Sequence, residues 1–250
     1  MSRVLIIPDC HLEFKKLDRI LDVERASADQ IIFLGDFFDA YHDDPFKNQA
    51  MAYRLNELAK DPKVVLLYGN HDLHYLFRND FVKCSGFSPE KWEAINPNLE
   101  SRTIDKFKWF ETIADGKILL SHAGIHPNHW KRQNINPKNR DDVLEFLAEE
   151  AENASDCLRG NKDHWFYRAG FARGGKQKFG GIVWLDANKF TPNKHIGQIF
   201  GHTYQPEHPK WFNDDNICLD TNLNHYAVYD DGLENPHIDV LSTWLGGSSH

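Results

Sequence analysis

The chain is poor in sulfur, with four cysteines and two methionines in 250 residues. Cys10, Cys84, Cys157 and Cys218 show no C-x-x-C spacing, so they read as reduced thiols of a cytoplasmic protein rather than as a disulfide framework. No apolar run is long enough to cross a bilayer, and no signal peptide can be cut from MSRVLIIPDC without losing Asp9; no membrane partner is expected. Positive charge is also in short supply: 29 Lys and Arg stand against 37 Asp and Glu, a formal charge of −8. That balance opposes tight nonspecific binding to long nucleic acid. No internal repeat, proline-rich linker or low-complexity tract divides the chain. A single domain over residues 1–242 follows, with 243–250 set aside as a C-terminal tail left from expression.

What the sequence does have is a recurrent pattern. KVVLLYGNHD runs from apolar Val64–Leu67 straight into Gly69, Asn70, His71 and Asp72. VLIIPDCH places Asp9 and His11 after Val4–Ile7, and IIFLGDFFD places Asp36 and Asp39 after Ile31–Leu34. KILLSHAG places His122 after Ile118–Leu120, and IFGHT places His202 after Ile199 and Phe200. One such junction is ordinary turn chemistry. Five make a different case, because the carboxyl ends of buried strands in an α/β sheet line the ligand crevice. The side chains gathered there are Asp9, His11, Asp36, Asn70, His122 and His202. Oxygen and imidazole donors without cysteine suit Mn, Fe or Zn in a hydrolytic site. Six donors exceed the needs of one open catalytic ion, and a carboxylate shared by two ions accounts for the surplus.

These motifs, D-x-H, G-D-x-x-D, G-N-H-D, a later H and G-H-x, stand in order across most of the chain. Together they resemble the calcineurin-like metallophosphoesterases. SHAGIHP (Ser121–Pro127), GNHDLH (Gly69–His74), VWLDA (Val183–Ala187) and CLDT (Cys218–Thr221) are similar to the branch holding PPP-type phosphatases and symmetrical diadenosine tetraphosphatases. The resemblance implies an α/β fold of two packed mixed sheets flanked by helices. It implies a dinuclear phosphatase that hydrolyses a phosphomonoester or nucleotide phosphoanhydride by attack of a metal-bridging hydroxide. The two divalent ions would be Mn2+, with Fe, Zn or Ni as alternatives, and the substrate a phosphorylated small molecule, nucleotide or phosphoprotein. Asp36 would bridge the ions, Asp9, His11 and His202 completing one site, Asn70 and His122 the other. His71 would protonate the leaving oxygen, oriented by Asp39. A phosphodiesterase or nuclease on the same scaffold, and a non-catalytic binding module, are the competing readings. Against the last stands the retention of every ligand.

The chain departs from that branch in three places, the first being Pro8 before Asp9 and Leu12 after His11, where the first motif usually has glycines. Ala40-Tyr41 follows Asp39 where PPP-type enzymes carry Arg-Gly, and Tyr68 precedes the G-N-H motif where they usually carry Arg. Two acid-free basic segments, Lys131–Arg140 and Arg168–Gly181, are the expected replacements for the missing phosphate-gripping arginine, with Arg168, Arg173 and Lys176 as substrate-binding residues. His74, His126 and His129 are expected at the surface or behind the site. Helices are expected over Leu17–Ala28, Lys47–Ala59 and Asp141–Cys157. Parallel crossovers are expected in the first half and an antiparallel second half near Ile217–Thr221 and His225–Tyr229.

Overall fold

A computed structural model describes residues 2–41, 43–83, 85–132, 136–232 and 237–244. The first three strands are β1 (Arg3–Ile7), β2 (Gln30–Phe33) and β3 (Val64–Leu67), parallel neighbours in one sheet. Their apolar runs are continuous because both faces are covered. Val4, Ile6, Ile32, Leu34 and Leu67 point into a core shared with the second sheet. The alternate residues Leu5, Ile7, Ile31, Phe33 and Leu66 face the helical layer. That layer includes α1 (Phe14–Glu24), which buries Leu17, Ile20 and Leu21, and α2 (Pro45–Leu58), which buries Met51 and Leu55. Asp44 caps α2 by accepting from Lys47 N at 2.9 Å, and Pro45 opens its first turn; both are ordinary helix-start signals.

Short helices α3 (Asn70–Leu76), α4 (Pro89–Ile95) and α5 (Ser101–Ile104) follow β3. Next come β4 (Phe107–Lys108), β5 (Phe110–Ile113) and β6 (Ile118–Ser121), then α6 (Asn128–Arg132) and the long α7 (Arg140–Arg159). The chain continues through β7 (Gly197–Phe200), β8 (Lys210–Asn213), β9 (Asn216–Cys218), β10 (His225–Asp230) and β11 (His237–Ser242). The strands form a six-stranded sheet, β11-β10-β1-β2-β3-β4, and a five-stranded sheet, β5-β6-β7-β9-β8. Ile113, Ile118, Leu120, Ile199 and Ile217 of the second sheet meet the first across the shared core.

The second half is less antiparallel than expected. β10 does run antiparallel between β1 and β11, but β9 pairs parallel with β7. The tight β8–β9 turn brings the chain back beside β7 in the same direction, so β6, β7 and β9 form a second parallel set. The packed body also extends past residue 242. Thr243 is buried, donating its hydroxyl to Leu223 O at 2.6 Å and its amide to Asn224 O at 2.9 Å. The remainder of the expected tail, 245–250, lies outside the described residues.

Candidate active site

The five donor-bearing junctions lie at the carboxyl ends of β1, β2, β3, β6 and β7. The chain turns sharply at several of them. His11, Asp36, Asp39 and His202 all adopt left-handed φ, at 38°, 52°, 59° and 66°, a conformation that costs an L-residue on the order of 1–3 kcal/mol and recurs at functional sites. Backbone ties hold the loops against that cost. Cys10 N and His11 N both donate to Asp36 O, at 3.0 and 2.8 Å. Asp72, in the first turn of α3, accepts from Asp36 N, Phe37 N and Gly69 N at 2.8 to 2.9 Å. The motif glycines are required for space: a Cβ on Gly201 would overlap Asp9 Oδ1, and one on Gly69 would overlap Asp36.

The imidazoles are oriented from behind. His122 Nδ1 donates to Leu34 O at 2.9 Å, and His11 Nδ1 to Asp39 O at 2.6 Å. Each is thereby fixed in the tautomer that offers Nε2 to the site, as metal-ligating histidines are. His122 Nε2 lies 3.3 Å from Asp36 Oδ2, 3.0 Å from Asn70 Oδ1 and 3.2 Å from His202 Nδ1. His11 Nε2 lies 3.5 Å from the same Asp36 oxygen. Asp36 therefore stands between two donor groups, Asp9–His11–Asp36 and Asp36–His122–His202. His202 falls with His122, not with Asp9 and His11 as the sequence suggested; its amide, rather than its ring, reaches Asp9 at 3.0 Å.

Buried charge is concentrated at this site. Asp9, Asp36, Asp72 and Asp220 are all buried, and buried carboxylates require compensation. Burial pushes the Asp9 carboxyl up to about 8, with Asp220 and Asp36 adding to the rise against His122 and His11. At His122 burial acts downward, but Asp36 and Asp9 outweigh it and push the imidazole up to about 10. His202 is driven the other way, well below its usual value, by burial and by the positive charges of His122 and Arg173. Its Nε2 is buried without a hydrogen-bond partner. Imidazoles, carboxylates and an asparagine oxygen converging in one buried locus fit divalent metal ions, which would take the place of the protons on His11 and His122.

Beside this cluster lies a second arrangement. His71 Nδ1 donates to Asp39 Oδ2 at 2.9 Å. His71 also lines a cleft of about 490 Å³ with His11, Asp36, Asn70, Arg173 and His202. Burial raises the Asp39 carboxyl, but hydrogen bonds from His71, His74, Lys91 and Tyr75 overcome it and hold the group well below the usual carboxylate range. His74, expected at the surface or behind the site, is buried with Nε2 3.3 Å from Asp39 Oδ2. His71, His74 and Tyr75 are spaced i, i+3 and i+4 on α3, one face of a helix turned toward Asp39. His126 and His129 are buried as well, stacked on Phe179 and Trp165.

The three basic residues separate. Arg173 lines the cleft, anchored by Thr203 Oγ1 at 2.9 Å and Asp186 at 2.9 Å. Arg168 and Lys176 do not. They line an adjoining cleft of about 490 Å³ with Lys83, Tyr167 and Trp184, and Arg168 is paired with Asp163 at 2.5 Å. From the other basic segment, none of the described residues 136–140 lines the main cleft; residues 133–135 lie outside the described chain. Tyr68 shows why no arginine is missed there: its ring is buried against Phe107 and Trp109, with centroids 5.3 and 4.7 Å away. Sequence reasoning passed over Lys91, Tyr75, Asp72 and Asp220. For Asp72 a signal existed, an acid three residues after Gly69 at a helix start.

A metal-binding hydrolytic centre on a two-sheet α/β scaffold is the class this site defines. The calcineurin-like phosphoesterase profile matches residues 2–206, and the chain belongs to that family, whose members are hydrolases acting on phosphoesters. Among solved structures, a point mutant of a cold-active protein tyrosine phosphatase is similar at a TM-score of 0.65 and 15% identity, covering 97% of this chain and 78% of that one. The cold-active protein-tyrosine phosphatase of a psychrophilic Shewanella gives 0.55 and 15%, over 97% and 81% of the two chains. A protein provisionally described as a diadenosine tetraphosphatase gives 0.50 and 16%, over 98% and 95%. At these identities the likeness establishes the fold. No curated protein sequence matches the chain, and no described helix is long and apolar enough to cross a membrane.

Proposed function

We propose that this protein is a dinuclear metal-dependent phosphatase that cleaves a phosphomonoester or a nucleotide phosphoanhydride. The observation that carries the reading is the position of Asp36 Oδ2, 3.5 Å from His11 Nε2 and 3.3 Å from His122 Nε2, beside a cleft that also holds His71 of the His71–Asp39 pair. Asp9, His11 and Asp36 would hold one ion, and Asp36, Asn70, His122 and His202 the other. Bound there, two divalent ions, Mn2+ first among them, supply Lewis acidity, charge neutralisation and a lowered pKa for water. Arg173 binds a phosphate oxygen from the cleft wall, its guanidinium held in place by Thr203 and Asp186. His71, fixed with Nδ1 toward Asp39, carries its other proton on Nε2 and gives it to the departing oxygen as that oxygen takes the electron pair of the broken P–O bond. Water supplies the oxygen newly bonded to phosphorus. Arg168, paired with Asp163, and Lys176 line the adjoining cleft, where they would meet a part of the substrate that extends beyond the phosphate.

The substrate is a phosphorylated small molecule, nucleotide or phosphoprotein, met in the cytoplasm. A Mn2+-reconstituted sample assayed on p-nitrophenyl phosphate, its bis-ester, diadenosine tetraphosphate, a phosphopeptide and single-stranded nucleic acid tests this. Turnover of the monoesters or the tetraphosphate is expected. Turnover of none, with metal bound, overturns the reading in favour of a non-catalytic module.

A further inference from the structure

Asp39 carries more ligation than a partner for one imidazole needs. Its Oδ2 faces His71 Nδ1 at 2.9 Å and His74 Nε2 at 3.3 Å. Its Oδ1 accepts from Tyr75 Oη at 2.7 Å and from Lys91 Nζ at 2.8 Å. The Lys91 ammonium is largely buried, and its other two contacts are Asp43 Oδ1 at 2.9 Å and Gly86 O at 2.9 Å. Three acceptors match the three N–H groups of an ammonium. Gly86 closes the arrangement, since a Cβ there would sit 2.6 Å from Asp39 Oδ2. Lys91 does not line the cleft; it reaches the site through Asp39.

We infer that Lys91 is a positioning residue for phosphoester cleavage: with Tyr75 it saturates Oδ1 of Asp39, leaving only Oδ2 to meet His71 and so fixing the proton-bearing Nε2 toward the leaving oxygen. A carboxylate with one free oxygen can rotate about its Cβ–Cγ bond and exchange which oxygen meets the imidazole. One clamped by a phenol and an ammonium cannot do so without breaking two hydrogen bonds. The ammonium is suited to this task because Asp43 balances its charge, so the clamp adds almost no net charge beside the site. Asp43 and Lys91 lie outside every motif that marks the site in the sequence, and α4 supplies the lysine from a segment that contributes nothing else to the cleft.

The inference rests on the phosphatase reading with His71 as proton donor. Wild type, Lys91→Met, Lys91→Arg, Tyr75→Phe, His71→Asn and the double variant His71→Asn/Lys91→Met are compared on p-nitrophenyl phosphate and on glycerol 2-phosphate, whose alkoxide leaves poorly. Lys91→Met is expected to lose about 10- to 100-fold in kcat on the poor leaving group, the cost of a small misplacement of a catalytic group, with KM and metal content unchanged and little loss on p-nitrophenyl phosphate. Lys91→Arg is expected to recover part of the loss, and the double variant to be no slower than His71→Asn, because Lys91 acts only through His71. Should Lys91→Met fail to fold, Tyr75→Phe and Lys91→Arg decide by the same comparison. A loss shared equally by both substrates, an effect on KM alone, or additive losses in the double variant overturns the positioning role. If His71→Asn shows the leaving-group dependence and Lys91→Met does not, the Lys91 inference alone fails. An inactive wild type on both substrates overturns the two together.

Discussion

Replacing His71 by Asn removes a proton donor while leaving the neighbouring donors in place. His71 is not one of the clustered groups Asp9–His11–Asp36 and Asp36–His122–His202. Its backbone amide, which donates to Asp36 Oδ1 at 2.8 Å, survives the change. Metal content should therefore hold. The rate should not, because a positioned general acid contributes about 10²- to 10⁴-fold, or roughly 3–5 kcal/mol at about 1.36 kcal/mol per decade. That full loss is expected on alkyl phosphates, whose leaving oxygen needs the proton. It should shrink toward unity on p-nitrophenyl phosphate, whose phenolate departs readily without one. Asp39→Asn should follow the same leaving-group trend more weakly, since the 2.9 Å contact to His71 remains geometrically possible while the carboxylate charge is gone. Steady-state kinetics across a series of aryl and alkyl phosphates, with metal content measured on the same samples, gives the answer. Equal losses across the series would refute proton donation and make His71 a phosphate-gripping residue; loss of metal would make it a ligand.

Asp36→Asn weakens the one group common to both donor clusters, so most activity and both ions should be lost while circular dichroism stays native, the strands being held by their apolar faces. Arg173→Ala should raise KM or lower kcat/KM with metal content intact; a parallel loss of metal would show that the guanidinium supports His202 instead. Stability of the metal-stripped protein should fall as pH rises from about 7 to about 9. In that window His11 and His122, pushed up to about 9 and about 10 by Asp36 and Asp9 against the cost of burial, still hold protons in the folded state that the unfolded chain has already released. Asp9, pushed up to about 8 chiefly by burial, loses its proton in the same direction. Added Mn2+ should reverse the trend, since its ligands must be deprotonated. Thermal melts with and without EDTA measure both slopes, and a stripped-protein Tm that rises with pH would contradict the electrostatic account.

How much of this was legible in the sequence follows from what each residue depends on. Asp9, Asp36, Asn70, His122 and His202 announce themselves because an apolar strand delivers each one within a few residues, and strand ends are readable from local pattern. His71 and Asp39 follow from the same motifs. The grouping of His202 with His122 was not readable, because it depends on β7 lying beside β6 in the second sheet. Lys91 is silent for the same reason: 52 positions separate it from Asp39, and only the packing of α4 against α2 brings the two together. Arg168 and Arg173 looked equivalent in a glycine-rich basic run. Asp163 claims the first and the cleft keeps the second, a distinction set by a loop conformation that no periodicity encodes.

The central claim, two ions sharing Asp36, is tested most directly by elemental analysis of the Mn2+-reconstituted chain beside the Asp36→Asn variant. The account predicts two metal ions per chain in the first and close to none in the second. A stoichiometry that never exceeds one in the unaltered chain, whatever the ion supplied, would contradict it.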